Sequence, residues 1–235
     1  MYGMYYYDLT YVIFMIPALI ITMYAQIKVN STFKKYSKVK CRRGLTGAQA
    51  AQIVLQRNGV RDVRIERVAG KLTDHYDPSS NVIRLSDEVY NSTSVSAVGV
   101  ACHEAGHAVQ QAENYKPILF RQFMVPITNI GSKLSFPLIF IGLLFPTKWD
   151  ILLIIGIAMF SLAVFFELIT LPVEFNASNR AIKALDEGEL LYDEELRGAK
   201  KVLSAAAMTY LAAAITAIAS LLRLLLIFSG RRGND

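Results

Sequence analysis

The chain has 235 residues, of which 53% are hydrophobic, and its lysines and arginines outnumber its acidic residues to give a net charge of +6. This length allows one domain, or one small domain with membrane helices, and the apolar fraction exceeds the roughly 45–50% of soluble chains. Two cysteines are too few for a disulfide framework. No aromatic-interleaved basic face accompanies the positive charge, so a membrane protein is expected and a nucleic-acid partner is not.

Residues 9–27, LTYVIFMIPALIITMYAQI, are long and apolar enough to cross a bilayer as one helix. No basic residue precedes them, which favours an uncleaved anchor over a signal peptide. A strongly basic segment follows, KVNSTFKKYSKVKCRR. The positive-inside rule therefore predicts an external N-terminus and places the next segment in the cytoplasm.

Residues 44–116 are predicted to form a soluble α+β module. Thr46 and Gln49 have the spacing of a helix capping box, and Asn58-Gly59 is a stop signal for that helix. Alternating apolar and polar residues in VRDVRIERVAG, KLTDHYDPSS and NVIRLSDEVY predict three short antiparallel strands. A helix covering SVSAVGVACHEAGHAVQQAENY follows, and we expect Pro117 to break it.

The second half of the chain alternates between apolar and polar segments. Residues 124–171 predict a membrane hairpin linked by PTKWD, and residues 202–228 predict a C-terminal membrane helix. Between them, residues 172–201 are predicted to be a helix and a polar segment, separated from the hairpin by a break at Pro172. Four spans return the C-terminus to the outside, although this leaves Arg231 and Arg232 on the side that the positive-inside rule disfavours.

The stretch VACHEAGHAVQQ carries the pattern H-E-x-x-H at His103, Glu104 and His107. Histidines four residues apart on a helix project from one face, with about 5–6 Å between their Cβ atoms, so both can reach one zinc ion. Glu104 stands at the offset from which a carboxylate can take a proton from a zinc-bound water without ligating the metal. The alternative is that the two histidines have this spacing by chance on an exposed helix. The surrounding alanines and glycine indicate instead that the helix is buried.

A catalytic zinc site usually has a third protein ligand. Glu113 has the spacing of the third metzincin ligand, but that geometry requires glycine where Gln110 stands, so we reject it. Glu174 on the later helix is the better candidate, because Ala177 and Ala181 allow that helix to pack closely. Glu167 and His75 remain the next candidates.

The segment EFNASNRA, residues 174–181, resembles the E-x-x-A-D-x-x-A motif of the gluzincins that include CAAX prenyl proteases and HtpX heat-shock proteases. These families also place a membrane hairpin between the two ligand segments. Nearly the whole chain, including LTDHYDP and HEAGHAVQ, resembles the YugP-type neutral zinc metallopeptidases of bacterial membranes.

This resemblance implies a gluzincin-like core with a small antiparallel sheet, the H-E-x-x-H helix and a glutamate helix. It implies one zinc ion per chain held by His103, His107 and Glu174, with Glu104 as general base. Ser178 stands where the related families have aspartate, which orients a ligand histidine. Serine can accept the same hydrogen bond, but more weakly.

Two further sets of residues are weaker candidates. Metalloproteases of this sort bind the substrate backbone along a free strand edge beside the metal helix, and the last strand before that helix contains Asn81, Val82, Ile83, Arg84 and Leu85. An oxyanion formed at the scissile carbonyl needs a hydrogen-bond donor, and His75 and Tyr76 are candidates from what we predict to be a loop.

The favoured function is an integral-membrane zinc endopeptidase with its site at the cytoplasmic membrane surface. The alternative is a non-catalytic membrane scaffold or partner-binding protein with a structural zinc, which needs a fourth protein ligand such as His75. A channel or transporter has little support beyond Glu167 and Lys133 as an intramembrane pair. The expected partners are a polypeptide substrate, membrane proteins included, and the lipid bilayer.

Overall fold

The computed structural model describes residues 2–145 and 150–232, so most of the predicted PTKWD link lies outside the described residues. The chain forms two units, a sheet-containing unit (Ala25–Leu119 and Pro172–Thr209) and a helical unit (Met1–Tyr24, Phe120–Leu171 and Tyr210–Asp235). In chain order the elements are α1 (Tyr2–Tyr36), α2 (Gly47–Arg57), β1 (Arg64–Val68), β2 (His75–Asp77), β3 (Val82–Ser86), α3 (Asp87–Tyr90), α4 (Val95–Ala112), α5 (Lys116–Leu144), α6 (Asp150–Glu187) and α7 (Asp193–Arg232).

The three predicted strands form one sheet, but its pairing is mixed and not wholly antiparallel. The strand order is β1-β3-β2, with β2 antiparallel to β3 and β1 parallel to β3. The chain reverses direction after β1 and again after β2, so the first and third strands run the same way. Because β3 enters between the other two, the first and third strands become neighbours and must pair in parallel.

The helices that support the sheet begin and end at recognisable signals. The capping box of α2 is confirmed, since the Gln49 amide donates to Thr46 Oγ1 at 3.2 Å and the Thr46 amide donates to Gln49 Oε1 at 2.9 Å. Helix α4 ends at Ala112, before Asn114 adopts a left-handed conformation with φ of 55°. The prediction that Pro117 breaks this helix is wrong, because Pro117 lies in the first turn of α5, where proline costs no hydrogen bond.

The helical unit is built from segments of the four helices α1, α5, α6 and α7, each long and apolar enough to cross a membrane. The most apolar window of each helix is only 11–28% buried, as expected for surfaces that face lipid. Within the unit α5 and α6 pack closely, because a Cβ on Gly142 would lie 2.7 Å from the Leu153 amide nitrogen and one on Gly156 would lie 2.9 Å from that of Ile139.

Helix α6 continues through Pro172 as far as Glu187, so the predicted break at that residue is wrong. Proline inside a membrane helix is tolerated when neighbouring groups satisfy the freed backbone carbonyl. In the described part of the helical unit, Lys133 and Glu167 form no ion pair, and the cation whose charge acts on Glu167 is Arg121. The described residues therefore lack the intramembrane ion pair that would have supported a channel or transporter.

Candidate metal centre and active site

Helix α4 carries the H-E-x-x-H residues through the interior of the sheet-containing unit. The Ser94 hydroxyl accepts a hydrogen bond from the Ala97 amide at 3.2 Å and so caps the helix at its start. Its small residues Ala101, Ala105 and Ala108 are almost fully buried in the core. An exposed helix would not bury these positions, so the reading of the two histidines as a chance surface pair is wrong.

His103, His107 and Glu174 converge on one point. Oxygen Oε2 of Glu174 lies 3.2 Å from Nε2 of His103 and 3.3 Å from Nε2 of His107. All three side chains are at least 90% buried, and the two imidazole rings meet edge to face with centroids 4.7 Å apart. Two α4 residues and one α6 residue thus present three potential metal-ligating atoms to the same small volume.

Gln110 determines which nitrogen of His107 carries a proton. The fully buried Gln110 amide nitrogen donates to the Val173 carbonyl at 2.9 Å and to Asn176 Oδ1 at 2.8 Å. Its oxygen therefore acts as an acceptor towards His107 Nδ1 at 3.0 Å, which requires a proton on that nitrogen. Nitrogen Nε2 of the neutral ring then directs its lone pair towards Glu174, as a metal ligand must.

Ser178 occupies the corresponding position beside the other histidine. Its hydroxyl lies 3.1 Å from His103 Nδ1, on the side of the ring opposite Glu174. When the hydroxyl accepts the Nδ1–H proton, His103 Nε2 is also left free to bind a metal. The contact supports the orienting role that the resemblance implied for Ser178.

The three donor atoms fit zinc in both chemistry and spacing. Two imidazole nitrogens and a carboxylate oxygen are common zinc ligands, and tetrahedral bonds of about 2.0–2.1 Å place ligand atoms roughly 3.3 Å apart. Facing lone pairs on His107 Nε2 and Glu174 Oε2 repel each other unless a cation lies between them. Among the described residues, no further His, Cys, Asp or Glu belongs to the group, which leaves His75 and the core residue Cys102 outside it.

The close approach of α4 to α6 depends on Gly106, which lies beside His107 in the sequence. A Cβ placed on Gly106 would lie 2.7 Å from the backbone carbonyl oxygen of Ala177 and 3.3 Å from its carbonyl carbon. Any side chain larger than hydrogen would push the two helices apart. Since Ala177 is one turn from Glu174, this contact sets the distance between the histidines and the carboxylate.

Glu104 lies beside the metal-ligating group without belonging to it. Its Oε2 accepts a hydrogen bond from the backbone amide of Tyr76 in β2 at 3.0 Å. Burial raises the pKa of Glu104 to about 7, with the charges of Glu174 and Asp74 acting in the same direction and His103 opposing them. A carboxyl group with such a pKa can both accept and release a proton near neutral pH.

The predicted substrate strand is wrong, because residues Asn81–Leu85 largely coincide with β3, the central strand. Strand β1 pairs with β3 from Val82 to Ser86, and β2 occupies the other edge from Val82 to Arg84. No further strand can pair with β3 between Val82 and Arg84. The outer edge of β2 is the one that adjoins Glu104, through the Tyr76 amide.

His75 and Tyr76 lie in β2 itself and not in a loop between strands. The Tyr76 hydroxyl donates to Asn81 Oδ1 at 2.8 Å, and the exposed His75 has its Nδ1 2.7 Å from the Thr73 carbonyl oxygen. Their assignment to oxyanion binding stays a prediction.

Sequence reasoning overlooked a polar network behind the ligands. Arg180 donates to Asn176 Oδ1 at 2.8 Å and pairs with Glu113 at 2.8 Å, so the rejected ligand Glu113 has a structural partner. Asn176 in turn accepts from Gln110. The signal was available: Gln110 is a polar residue three positions after His107, in the last turn of a helix made mostly of small apolar residues.

Comparison with known proteins places the chain among zinc peptidases. Residues 11–229 match the model of a family described as "Putative neutral zinc metallopeptidase". The chain is 47% identical over 220 residues to the "Putative membrane protease YugP" of Bacillus subtilis (strain 168), covering 94% of this chain and 97% of that protein. No solved structure matches the chain.

Proposed function

Because the chain belongs to the neutral zinc metallopeptidase family, we propose that it is an integral-membrane endopeptidase that binds one zinc ion and hydrolyses peptide bonds in polypeptide substrates. The observation that carries this proposal is the group of His103, His107 and Glu174, with Glu104 beside it. The packing of α4 against α6, with the edge strand β2 beside Glu104, supports a gluzincin-like core.

Zinc held by the three ligands would supply Lewis acidity to the scissile carbonyl and to the attacking water. Glu104 takes the proton of that water and delivers it to the leaving amine. Gln110 and Ser178 hold the two imidazoles with Nε2 towards the ligand centre throughout. The low exposure of the group keeps bulk water away, which strengthens the electrostatic interactions inside it.

We place the substrate backbone along the outer edge of β2. A chain added there would pair with backbone groups of a strand that already contacts Glu104 through the Tyr76 amide. His75, exposed on the same strand, is the proposed donor for the oxyanion, a role that requires a proton on Nε2 in addition to the Nδ1 proton directed at the Thr73 carbonyl.

The proposed location is the bacterial cell membrane, with four spans and the catalytic side in the cytoplasm. The exposed apolar surface of the four long helices supports the membrane location. The basic residues between the first span and α2 support the orientation.

A structural zinc in a non-catalytic scaffold would be closed by a fourth protein ligand. The described residues supply three ligands to the group, and the carboxylate of Glu104, beside His103 in the sequence, accepts a hydrogen bond from the Tyr76 amide. This open fourth position favours catalysis over the scaffold alternative.

The test is Glu104→Gln in the full chain purified in detergent. We expect about one zinc per chain, as in the wild type, with hydrolysis of a quenched fluorescent peptide library at least 100-fold slower, in line with the roughly 10²–10⁴-fold effect of general acid–base catalysis. Glu66→Gln, the same change on β1, serves as the control with unchanged hydrolysis. Equal turnover by Glu104→Gln and wild type would contradict the mechanism.

A further inference from the structure

A basic cavity of about 570 Å³ lies in the sheet-containing unit, between the C-terminal part of α1 and the N-terminal part of α7. None of the described residues that line it is acidic. Two lysines from each helix line it: Lys28, Lys35, Lys200 and Lys201. The lining also includes the hydroxyl-bearing residues Ser31, Thr32, Tyr36 and Ser204. The cavity takes no part in the zinc site or in the proposed hydrolysis.

These four lysines have no acidic partner among the described residues. Within residues 2–145 and 150–232 none of them forms an ion pair, and the Lys35 ammonium lies over the Tyr36 ring, 5.6 Å from its centroid. Lys71 and Lys183, by contrast, pair with Glu88 and Glu187. Four like charges around one cavity repel one another, and an anion in the cavity would relieve that repulsion.

The position of the cavity along both helices indicates where the anion comes from. Lys28 directly follows the apolar run 9–27, and Lys200 and Lys201 directly precede the apolar run 202–222. Ala205 and Met208 complete the lining on the apolar side of α7. The cavity thus stands where both helices would leave the hydrocarbon, at the depth of lipid phosphates.

We propose that this cavity binds the phosphate headgroup of one anionic phospholipid. A lipid fits better than a free anion, because Ile27 beside Lys28 is 64% exposed and offers an apolar surface for an acyl chain. Basic pockets between membrane helices are established sites for anionic headgroups.

The bound lipid would hold together helices that contact the metal helix. A Cβ on Gly198 would lie 2.6 Å from the Tyr36 ring, so the end of α1 rests directly on α7. The next residue, Ala199, packs against Gly99 of α4, since a Cβ on Gly99 would lie 3.5 Å from the Ala199 Cβ. Lipid binding is therefore expected to raise the melting temperature of the sheet-containing unit.

The test uses the full chain, delipidated in a neutral detergent and treated with a chelator, so that its result does not depend on zinc or on peptidase activity. Short-chain phosphatidylglycerol is titrated against phosphatidylcholine of equal chain length, with bound lipid counted by native mass spectrometry and the melting temperature recorded. The pocket variant is Lys28→Gln/Lys201→Gln, with one change in each wall. The matched control is Lys34→Gln/Lys38→Gln, which removes the same charge from the same basic segment outside the cavity.

We expect one phosphatidylglycerol per chain, a higher melting temperature, and no comparable effect of phosphatidylcholine. The pocket variant should bind phosphatidylglycerol roughly 25- to 30-fold more weakly, from about fivefold per lysine, with the control unchanged. Equal binding of the two lipids, or equal losses in both variants, would overturn the proposal. So would an equal stabilisation by glycerol phosphate or inorganic phosphate, or tighter binding of an acidic peptide.

Discussion

At the scale of single residues, the candidate metal centre is organised by the hydrogen bonds that hold the imidazoles. Each histidine has one nitrogen turned to Glu174 and the other to a neutral polar group, Gln110 or Ser178. Gln110 constrains its histidine more strongly than Ser178 does, because both of its amide protons are used in other hydrogen bonds and its oxygen can only accept. The orientation of His107 is therefore built in before a metal arrives.

Gln110→Met keeps the length of this side chain but removes its acceptor and its donors. We expect zinc affinity to fall about 10- to 100-fold, the usual effect of losing a partner that orients a ligand histidine. Competition with a chromogenic chelator measures it. Gln56→Met, on the exposed face of α2, is the control for the change itself, and an unaltered affinity in Gln110→Met would refute the orienting role.

At the scale of elements, the site depends on how closely α4 and α6 approach. The two ligand segments lie on different helices, and Gly106 allows the backbone of α6 at Ala177 to come within contact distance of α4. Gly99, two turns earlier on α4, faces Ala199 of α7 with room for a methyl group. Substitution by alanine should therefore be costly at Gly106 and tolerated at Gly99.

Gly106→Ala should destabilise the protein by about 1–3 kcal/mol and reduce zinc binding, because the new methyl group meets backbone that cannot move aside cheaply. Gly99→Ala should be neutral or stabilising by up to about 1 kcal/mol, since alanine favours the helix and the contact is ordinary. Thermal unfolding and zinc content of the two variants check this. If both variants bind zinc like the wild type, the interhelical distance does not control the site.

At the scale of the whole molecule, the proposed zinc would act as a cross-link within the sheet-containing unit. It would join α4 to α6. His103 on α4 and Glu174 on α6 are 71 residues apart in the sequence. A ligand that binds only the folded state stabilises it by mass action, by about 3–4 kcal/mol when its free concentration is 100 to 1,000 times its dissociation constant. Chelation should remove this contribution.

We therefore expect a chelator to lower the melting temperature of the wild type and added zinc to restore it. Glu174→Ala should melt at the chelated temperature and respond to neither treatment, because one of its three ligands is gone. Differential scanning fluorimetry in detergent measures both effects. A chelator response that persists in Glu174→Ala would show that the stabilising metal is bound elsewhere.

Elements with strong local signals were predictable from the sequence. The α2 capping box and the four long apolar helices follow from residue spacing and composition alone. The strand pairing was not predictable, because the position of β3 between β1 and β2 is set by contacts between residues distant in sequence, which leave no local pattern. Pro117 and Pro172 were misjudged for a related reason: the cost of a proline depends on which carbonyl loses its partner.

The candidate site was predictable as a set of ligands but not as a network. The histidine spacing and the EFNASNRA segment pointed to His103, His107 and Glu174, which the fold brings together. The supporting role of Gln110 required knowing that Asn176 and the Val173 carbonyl would lie opposite it. This arrangement forms only when α6 packs against α4.

The order of the ligands along the chain has a consequence for biosynthesis. The two histidines leave the ribosome first, and the third ligand follows only after the whole apolar stretch Phe120–Leu171 has been translated. A nascent chain that stops anywhere within that stretch carries imidazoles without the carboxylate that completes the set. If the proposed function is right, the chain would therefore acquire peptidase activity only after Phe120–Leu171 had been made, and a truncated copy in the cytosol would pose no proteolytic hazard to the cell.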